Sequence, residues 1–391
     1  MANILERKSV FGAKKESTFG VDPGSWVPAD GIAAEEGLDV PSYNPDMQER
    51  NVIANSFFAK PKIRGAETDV SGSVQLELAG SGSAAGAPES AVLWESAIGA
   101  TSALTGNAAE TVGGSTTTAL ELDTGDVAAD SIVVGDVVFV QDATNGFSVT
   151  WVTAIATDQL TVSPALAIAP GTGVPVHRAC TRYNPHLTEQ VSFYTKFWQG
   201  DTFLFEVPGC KVSSLTIDFT TGEIIKPTFN YNGQKTEAGV AETSATGLGG
   251  AATFDAQDPL VAVLMEFEIG GSVYAVSNAS LEITNEHYKS LAITTDGITD
   301  ILRTGGMISG SFSLEMEDLA PETAFRADTT AVLRIAAARS VVGNAVAFEL
   351  PEIRYTAAPK TVDSGIYKYD MSFDCQSPSN VDANTIRVSF F

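Results

Sequence analysis

Two short stretches of this chain each occur twice. Ser71-Gly-Ser-Val-Gln-Leu-Glu-Leu78 returns as Ser309-Gly-Ser-Phe-Ser-Leu-Glu-Met316, and Gly200-Asp-Thr-Phe-Leu-Phe-Glu-Val-Pro208 returns as Gly343-Asn-Ala-Val-Ala-Phe-Glu-Leu-Pro351. In the first pair Val74, Leu76 and Leu78 alternate with Ser73, Gln75 and Glu77, and Phe312, Leu314 and Met316 repeat the alternation. That is the period of a strand with one buried face. In the second pair a Gly-Asp or Gly-Asn turn feeds a strand that stops at proline, whose missing N–H ends a ladder. The substitutions within each pair exchange one apolar residue for another on the same face, so a tandem duplication is expected, with both copies sharing one fold.

The spacings locate an insertion. The first pair lies 238 residues apart (71 to 309) and the second 143 apart (200 to 343), so the first copy holds 95 more residues than the second. A period this long makes two domains rather than a solenoid, whose units run at ~20–50 residues. The expected organisation is an extended arm over 1–42, a discontinuous first unit over 43–118 and 179–235, an inserted small β-barrel or sandwich over 119–178, a linker over 236–257, and a second unit over 258–391.

The chain of 391 residues is long enough for two or three cores. Its longest apolar run, Leu260 to Met265, is far short of the ~18 residues of a membrane span, and Met1 to Phe11 lacks a signal peptide's apolar core. Cys180, Cys210 and Cys375 are odd in number and widely spaced, which favours buried free thiols. A formal charge of −25 opposes the phosphate contacts on which nucleic-acid grip depends, and it also fits simple solubility.

In chain order, the first 42 residues carry a basic patch (Arg7, Lys8, Lys14, Lys15), several prolines, and Trp26-Val27 as their bulky apolar pair, a composition suited to a strap over a neighbour's surface. Strands are expected at Val52–Ala59 and 71–78, and a short helix over Glu89–Ile98, where Val92, Leu93, Ala97 and Ile98 form a stripe. Within the insert, 134–140, 147–155 and 159–166 read as strands, separated by Asn145-Gly146 and Thr157-Asp158 turns. With both ends in one host unit, the insert should project from a surface, and its removal should leave the rest intact. The first unit ends in a hairpin whose Leu215, Ile217 and Phe219 alternate with Ser214, Thr216 and Asp218. The second unit is expected to hold a hairpin over 261–283, a helix over Pro321–Asp328, and four closing strands.

At these residues a resemblance emerges. Gly209-Cys-Lys-Val-Ser-Ser-Leu-Thr-Ile-Asp-Phe219, with Gly222-Glu-Ile-Ile225 and Phe229-Asn-Tyr-Asn-Gly233, resembles the hairpin of the tail tube (major tail) proteins of long-tailed bacteriophages. Glu16-Ser-Thr-Phe-Gly-Val-Asp-Pro23 and Val134-Gly-Asp-Val-Val138 resemble the same family. The resemblance implies a mainly β fold: a tandem pair of sandwich or barrel units, each with a flanking helix. It further implies a virion protein assembled in the host bacterial cytoplasm, whose subunits join edge to edge into rings that stack, with other tail proteins, into the hollow tail through which DNA is ejected. The unpaired edges of long alternating strands agree with this, because a ring covers each edge with the next unit.

Rival classes fare worse. His177, His186 and His287 show no metal-ligand spacing, and Gly171-Thr-Gly173 and Gly247-Leu-Gly-Gly250 lack the strand-to-helix context of a phosphate loop. Asn278-Ala-Ser280 is a chance-grade sequon, and Glu315, Glu317 and Asp318 lack calcium-loop spacing. No catalytic residue, cofactor or metal is expected, and no membrane. A surface-layer, adhesin or capsid-decorating protein with a carbohydrate-binding insert is the alternative. Two units per chain predict three chains to a ring of six units, with six chains as the alternative. The same alternation that buries the apolar residues puts Glu77, Asp218, Glu315 and Asp370 on the wet face, where they are expected to line the lumen and let DNA pass without specific binding.

Overall fold

The computed structural model describes residues 8–35, 38–39, 44–49, 62–65, 67, 69–82, 86–99, 101–103, 108–129, 131–142, 146–185, 190–254, 257–263, 265–292, 297–316, 319–339, 343–377 and 385–391. The strand expected at Val52–Ala59, together with Asn145, His186, Glu317 and Asp318, lies outside them. The strands that build the main body are β1 (Val10–Lys15), β2 (Val70–Gln75), β3 (Phe193–Gln199), β4 (Phe203–Thr220), β5 (Lys226–Gly233), β6 (Met265–Ile269), β7 (Val276–Leu291) and β8 (Ile298–Glu315). They continue with β9 (Ala331–Ala338), β10 (Ala345–Ala357), β11 (Lys360–Asp363), β12 (Ile366–Cys375) and β13 (Arg387–Phe390). Helices α1 (Ala91–Ala97) and α2 (Ala320–Arg326) flank them. The fold is mainly β, as the alternation requires.

In the first half the antiparallel pairings run β1 to β3 to β4 to β5 to β2. In the second half they run β6 to β9 to β10 to β12 to β8. The order is the same, and the repeated Ser-Gly-Ser stretches occupy the last place in each, on β2 and β8. Gly310 of that stretch has a steric reason to be glycine: a Cβ there would come within 2.4 Å of the Ser280 carbonyl oxygen and 2.5 Å of the Phe373 ring. Between the halves, β4 pairs with β7 from Ser214 opposite Thr284 to Thr220 opposite Asn278, and β7 pairs with β8. One antiparallel sheet, β2-β5-β4-β7-β8-β12, therefore crosses the whole chain.

The apolar faces of both halves drain into a single core. Trp94 of α1 is its centre, with Phe229 and Phe390 edge-on at 5.3 Å and Phe348 at 6.3 Å, so residues from both ends of the chain close on one indole. The chain terminus adds a second tie, since β13 pairs with β10 on one side and with Thr181–Tyr183 on the other.

Three expectations need correction. The described residues 8–35 strap their own chain rather than a neighbour: β1 pairs along its length with β3, and Trp26 lies edge-on to Tyr194 and Trp198 in a buried cluster of this same chain. Phe11 and Ala13 supply the apolar side of β1, a short alternation that the surrounding prolines and lysines obscured. Residues 236–257 are likewise more than a linker. Thr243 caps a helical turn over Ser244–Gly247, and fully buried Leu248 joins the Trp26 cluster.

The third correction concerns the insert. Its separate six-stranded sheet takes in strands from Ala108 to Arg178, starting upstream of Ala119, and it is seated on the second half rather than projecting freely. Val137, Phe139, Val149 and Trp151 pack on Ala336, Ala338, Ala345, Ala347 and Phe391. The alanines of β9 and β10 leave the space in which Trp151 fits. Around this contact Asp136 binds Arg178 at 3.0 Å and Arg182 at 2.9 Å, while Arg334 binds Glu268 at 3.1 Å and Glu349 at 3.3 Å. Arg334 also lies 5.3 Å from the centre of the Trp151 ring, and Arg387 bridges Glu349 at 3.1 Å to the Gly135 carbonyl at 3.4 Å. Gly135 has a φ of 90°, a left-handed backbone that L side chains rarely adopt, which accounts for the glycine in Val134-Gly-Asp-Val-Val138.

Candidate assembly surface

The sheet that crosses the chain has one apolar face and one wet face, and register decides which residues share the wet one. Asp218 stands opposite Lys226 on β5 and Ser280 on β7, Ser280 opposite Ser311 on β8, and Ser311 opposite Ser372 on β12. Side chains alternate along each strand, so Glu315 shares the face with Ser311, and Asp370 with Ser372. Gln75 stands opposite Thr228, two residues from Lys226, which brings Gln75 and Glu77 to the same side. All four acidic residues singled out in the sequence thus lie on one face of one sheet. Glu77, Asp218 and Glu315 are exposed, and Asp370 is half-buried.

What sequence reading passed over is the company they keep. Most of the face is hydroxyl and amide: Ser280 and Ser311 share a hydrogen bond of 3.0 Å, Gln75 donates to Thr228 at 3.1 Å, Asn230 to Ser214 at 2.9 Å, and Ser313 donates to Asp370. Two lysines also stand on it, and each is held by a carboxylate: Lys226 by Glu35 at 2.9 Å and Lys368 by Asp363 at 2.8 Å. Partial desolvation and then repulsion from Glu35 raise the Glu77 carboxyl above its ordinary range. The same alternation that found the acids would have found these residues. The result is a smooth polar surface with an acidic bias and no free lysine among those two.

Among the described residues no group of three His, Cys, Asp or Glu side chains could hold a metal ion. His287, on β7 beyond its pairing with β4, has both ring nitrogens occupied, by Asn232 at 3.0 Å and Gln190 at 2.8 Å. Burial, followed by Lys211, Arg303 and Lys289, lowers its pKa to about 4, so it is neutral at pH 7. Cys210 is buried, and burial raises its thiol well above the ordinary value.

The sheet is bounded by two edges. On one side a segment bridges β2 at Ala34 opposite Leu76 and at Asp39 opposite Ser73. On the other side β11 forms a hairpin with β12, and all four of its residues are exposed. Beyond the sheet, β7 and β8 run on as a long ribbon that carries exposed Tyr288, Leu291, Leu302 and Met307. Lys211 anchors its root by donating to the Ile301 carbonyl at 2.5 Å.

Comparison with known families gives this mainly β chain with its continuous polar sheet face a context. The family described as phage tail tube protein matches residues 6–375. The chain belongs to that family. A search of curated proteins found no match. Family membership assigns this tail tube protein a structural role in the phage tail. Among the described residues no helix is long and apolar enough to cross a membrane.

Proposed function

We propose that this tail tube protein polymerises through its sheet edges into rings, and that stacked rings form the conduit through which the genome of a long-tailed phage leaves the capsid. The observation that carries the reading is the wet face of the β2-β5-β4-β7-β8-β12 sheet, where Glu77, Asp218, Glu315 and Asp370 stand among serines and threonines. Turned inward, that face gives DNA a wall that holds water and repels phosphate at short range, within a screening length of about 8 Å at physiological salt. Transit needs weak contact, and a hydroxyl-rich acidic wall supplies it.

The chain is a tandem duplication in this reading. The matching pairing orders of the two halves, with the repeated stretches in equivalent places, support it. Three chains then close a ring of six similar units. Negative-stain imaging of the purified chain, averaged without imposed symmetry, tests both claims: stacked rings with three chains each are expected. Six chains per ring would overturn the stoichiometry, while flat lattices or persistent monomers would overturn the tube.

A further inference from the structure

The joint between the two halves is a template for a joint between chains. In the first half the hairpin linking β4 to β5 turns at Thr221-Gly222, and the end of β4 before it is covered by β7: Asp218 faces Ser280, Phe219 faces Ala279, and Thr220 faces Asn278. The corresponding hairpin of the second half turns at Ser364-Gly365, both residues having positive φ (52° and 87°), and the strand before it is β11. The 143-residue spacing of the second repeated pair places Asp218 on Thr361 and Phe219 on Val362. Phe219 is 3% exposed, whereas Val362 is 60% exposed and its neighbour Tyr367 is 61% exposed. What covers Phe219 is absent over Val362.

The covering strand has an equivalent too. β7 pairs with β8 as Ala279 to Phe312 and Ser280 to Ser311. The 238-residue spacing of the first repeated pair puts Ser73 in the place of Ser311, and the residue opposite Ser73 is Asp39. Asp39 therefore stands where Ser280 stands, and Leu38 where Ala279 stands. Resting on the ring reading above, we propose that β11 of one chain pairs antiparallel with the Leu38–Asp39 edge of the next copy, Val362 opposite Leu38 and Thr361 opposite Asp39.

Hydrogen-bond parity and facing both fit this register. Asp39 exchanges both main-chain bonds with Ser73 at 3.1 Å, so the N–H and C=O of Leu38 point away from β2. Asp370 donates to the Pro359 carbonyl at 3.0 Å, so Pro359, Thr361 and Asp363 face β12 and Val362 directs its N–H and C=O outward. Two outward residues thus meet as a hydrogen-bonded pair. Leu38 packs against the core on the apolar side and Asp39 is exposed on the wet side, while Thr361 shares the wet side with Lys368, which it faces, and Glu315, which Lys368 faces in turn. A slip of one residue would set Val362 against Asp39 and invert the faces.

Cysteine pairs test the register in the assembled full-length chain. Residues opposite each other across antiparallel strands have Cα atoms ~4.5–5.5 Å apart, within disulfide reach. D39C/T361C and L38C/V362C are expected to form reducible species of two and three chains on mild oxidation, with wild type and each single variant giving none. Assembled rings of both double variants that yield no cross-link overturn the joint and leave ring formation standing. If the wild-type chain forms no ring, the functional reading falls and this joint with it. Val362→Pro is the second test. It removes an N–H that points away from β12, so thermal melting of the isolated chain is expected to be unchanged and rings to be lost. Wild-type ring yield from V362P would overturn the proposal.

Discussion

Between the two halves, β4 and β7 meet through main-chain hydrogen bonds over Ser214–Thr220, and the side chains on their wet face are serine, threonine, asparagine and one carboxylate on each strand. The inserted sheet meets the second half quite differently, through Trp151 on an alanine floor ringed by Asp136, Glu268 and Glu349 with four arginines. A backbone joint depends on register and tolerates exchange of its side chains. The insert's seat depends on each side chain, because a buried charge that loses its partner keeps its desolvation cost. The joint suits a surface that recurs round an assembly, and the seat suits a contact made once.

Removing the insert is the strongest way to break this comparison. Deleting 119–178 and joining the ends with a short linker would bare the alanine floor and Phe391 and would take Arg178 away along with Asp136. We expect loss of soluble, cooperatively folded chain, measured by size-exclusion chromatography and thermal melting. This reverses the expectation from sequence that the rest would stand intact, and a deletion variant that melts like wild type would show the seat to be decorative.

A single substitution inside the seat comes next. Asp136 is 3% exposed, accepts the Val133 N–H at 2.9 Å, and holds both Arg178 and Arg182. Asp136→Ala removes the buried carboxylate that pairs with both guanidinium groups, and we expect a loss of about 3–5 kcal/mol in denaturant unfolding. A loss under 1 kcal/mol would mean that the arginines find water or other partners.

Glu266 sharpens the comparison with pH. It lies beside Glu268 on the β6 face turned toward the insert, with one carboxylate oxygen buried and unbonded, and burial followed by Glu268 raises its pKa to about 7. The folded chain therefore keeps a proton that the unfolded chain gives up near the ordinary value of 4.5. Stability falls as pH rises from there toward 7 and stays lower above it. Glu266→Gln removes the ionisable group and is expected to stabilise the chain on the order of 2 kcal/mol at pH 8, with little effect at pH 4.5. Equal effects at both pH values would place the cause elsewhere.

How much of this was legible follows from the same contrast. The wet face of the long sheet was readable because strict alternation in 71–78, 214–219 and 309–316 encodes it directly. The seat was not, since Arg334, Ala336 and Ala338 on the outer side of β9 look like an ordinary exposed stripe until Trp151 is brought onto them from far along the chain. The alanines were the available signal: a solvent-facing strand would carry longer polar side chains there. β1 escaped for a related reason, its Phe11 and Ala13 being too short an alternation to stand out among lysines. Local period reports which way a strand faces, and long-range pairing decides what it faces.

The smallest effect on folding is expected where the polar face alone is changed. Lysine at Glu77, Asp218, Glu315 and Asp370 replaces side chains that lie on a backbone-held ladder, so each should shift stability by no more than about 0.5 kcal/mol. Asp370 carries the most risk, because Ser313 donates to it. Rings should still form. In the proposed tube the wall would change sign at four places in every chain, and cations repeated along a bore make phosphate contacts whose strength falls steeply with salt. Tubes of the quadruple variant are expected to retain DNA fragments at low ionic strength and release them as salt is raised, and phage carrying it should eject DNA slowly. Unchanged DNA retention in tubes of normal appearance would remove these four residues from the lumen and turn the polar face outward.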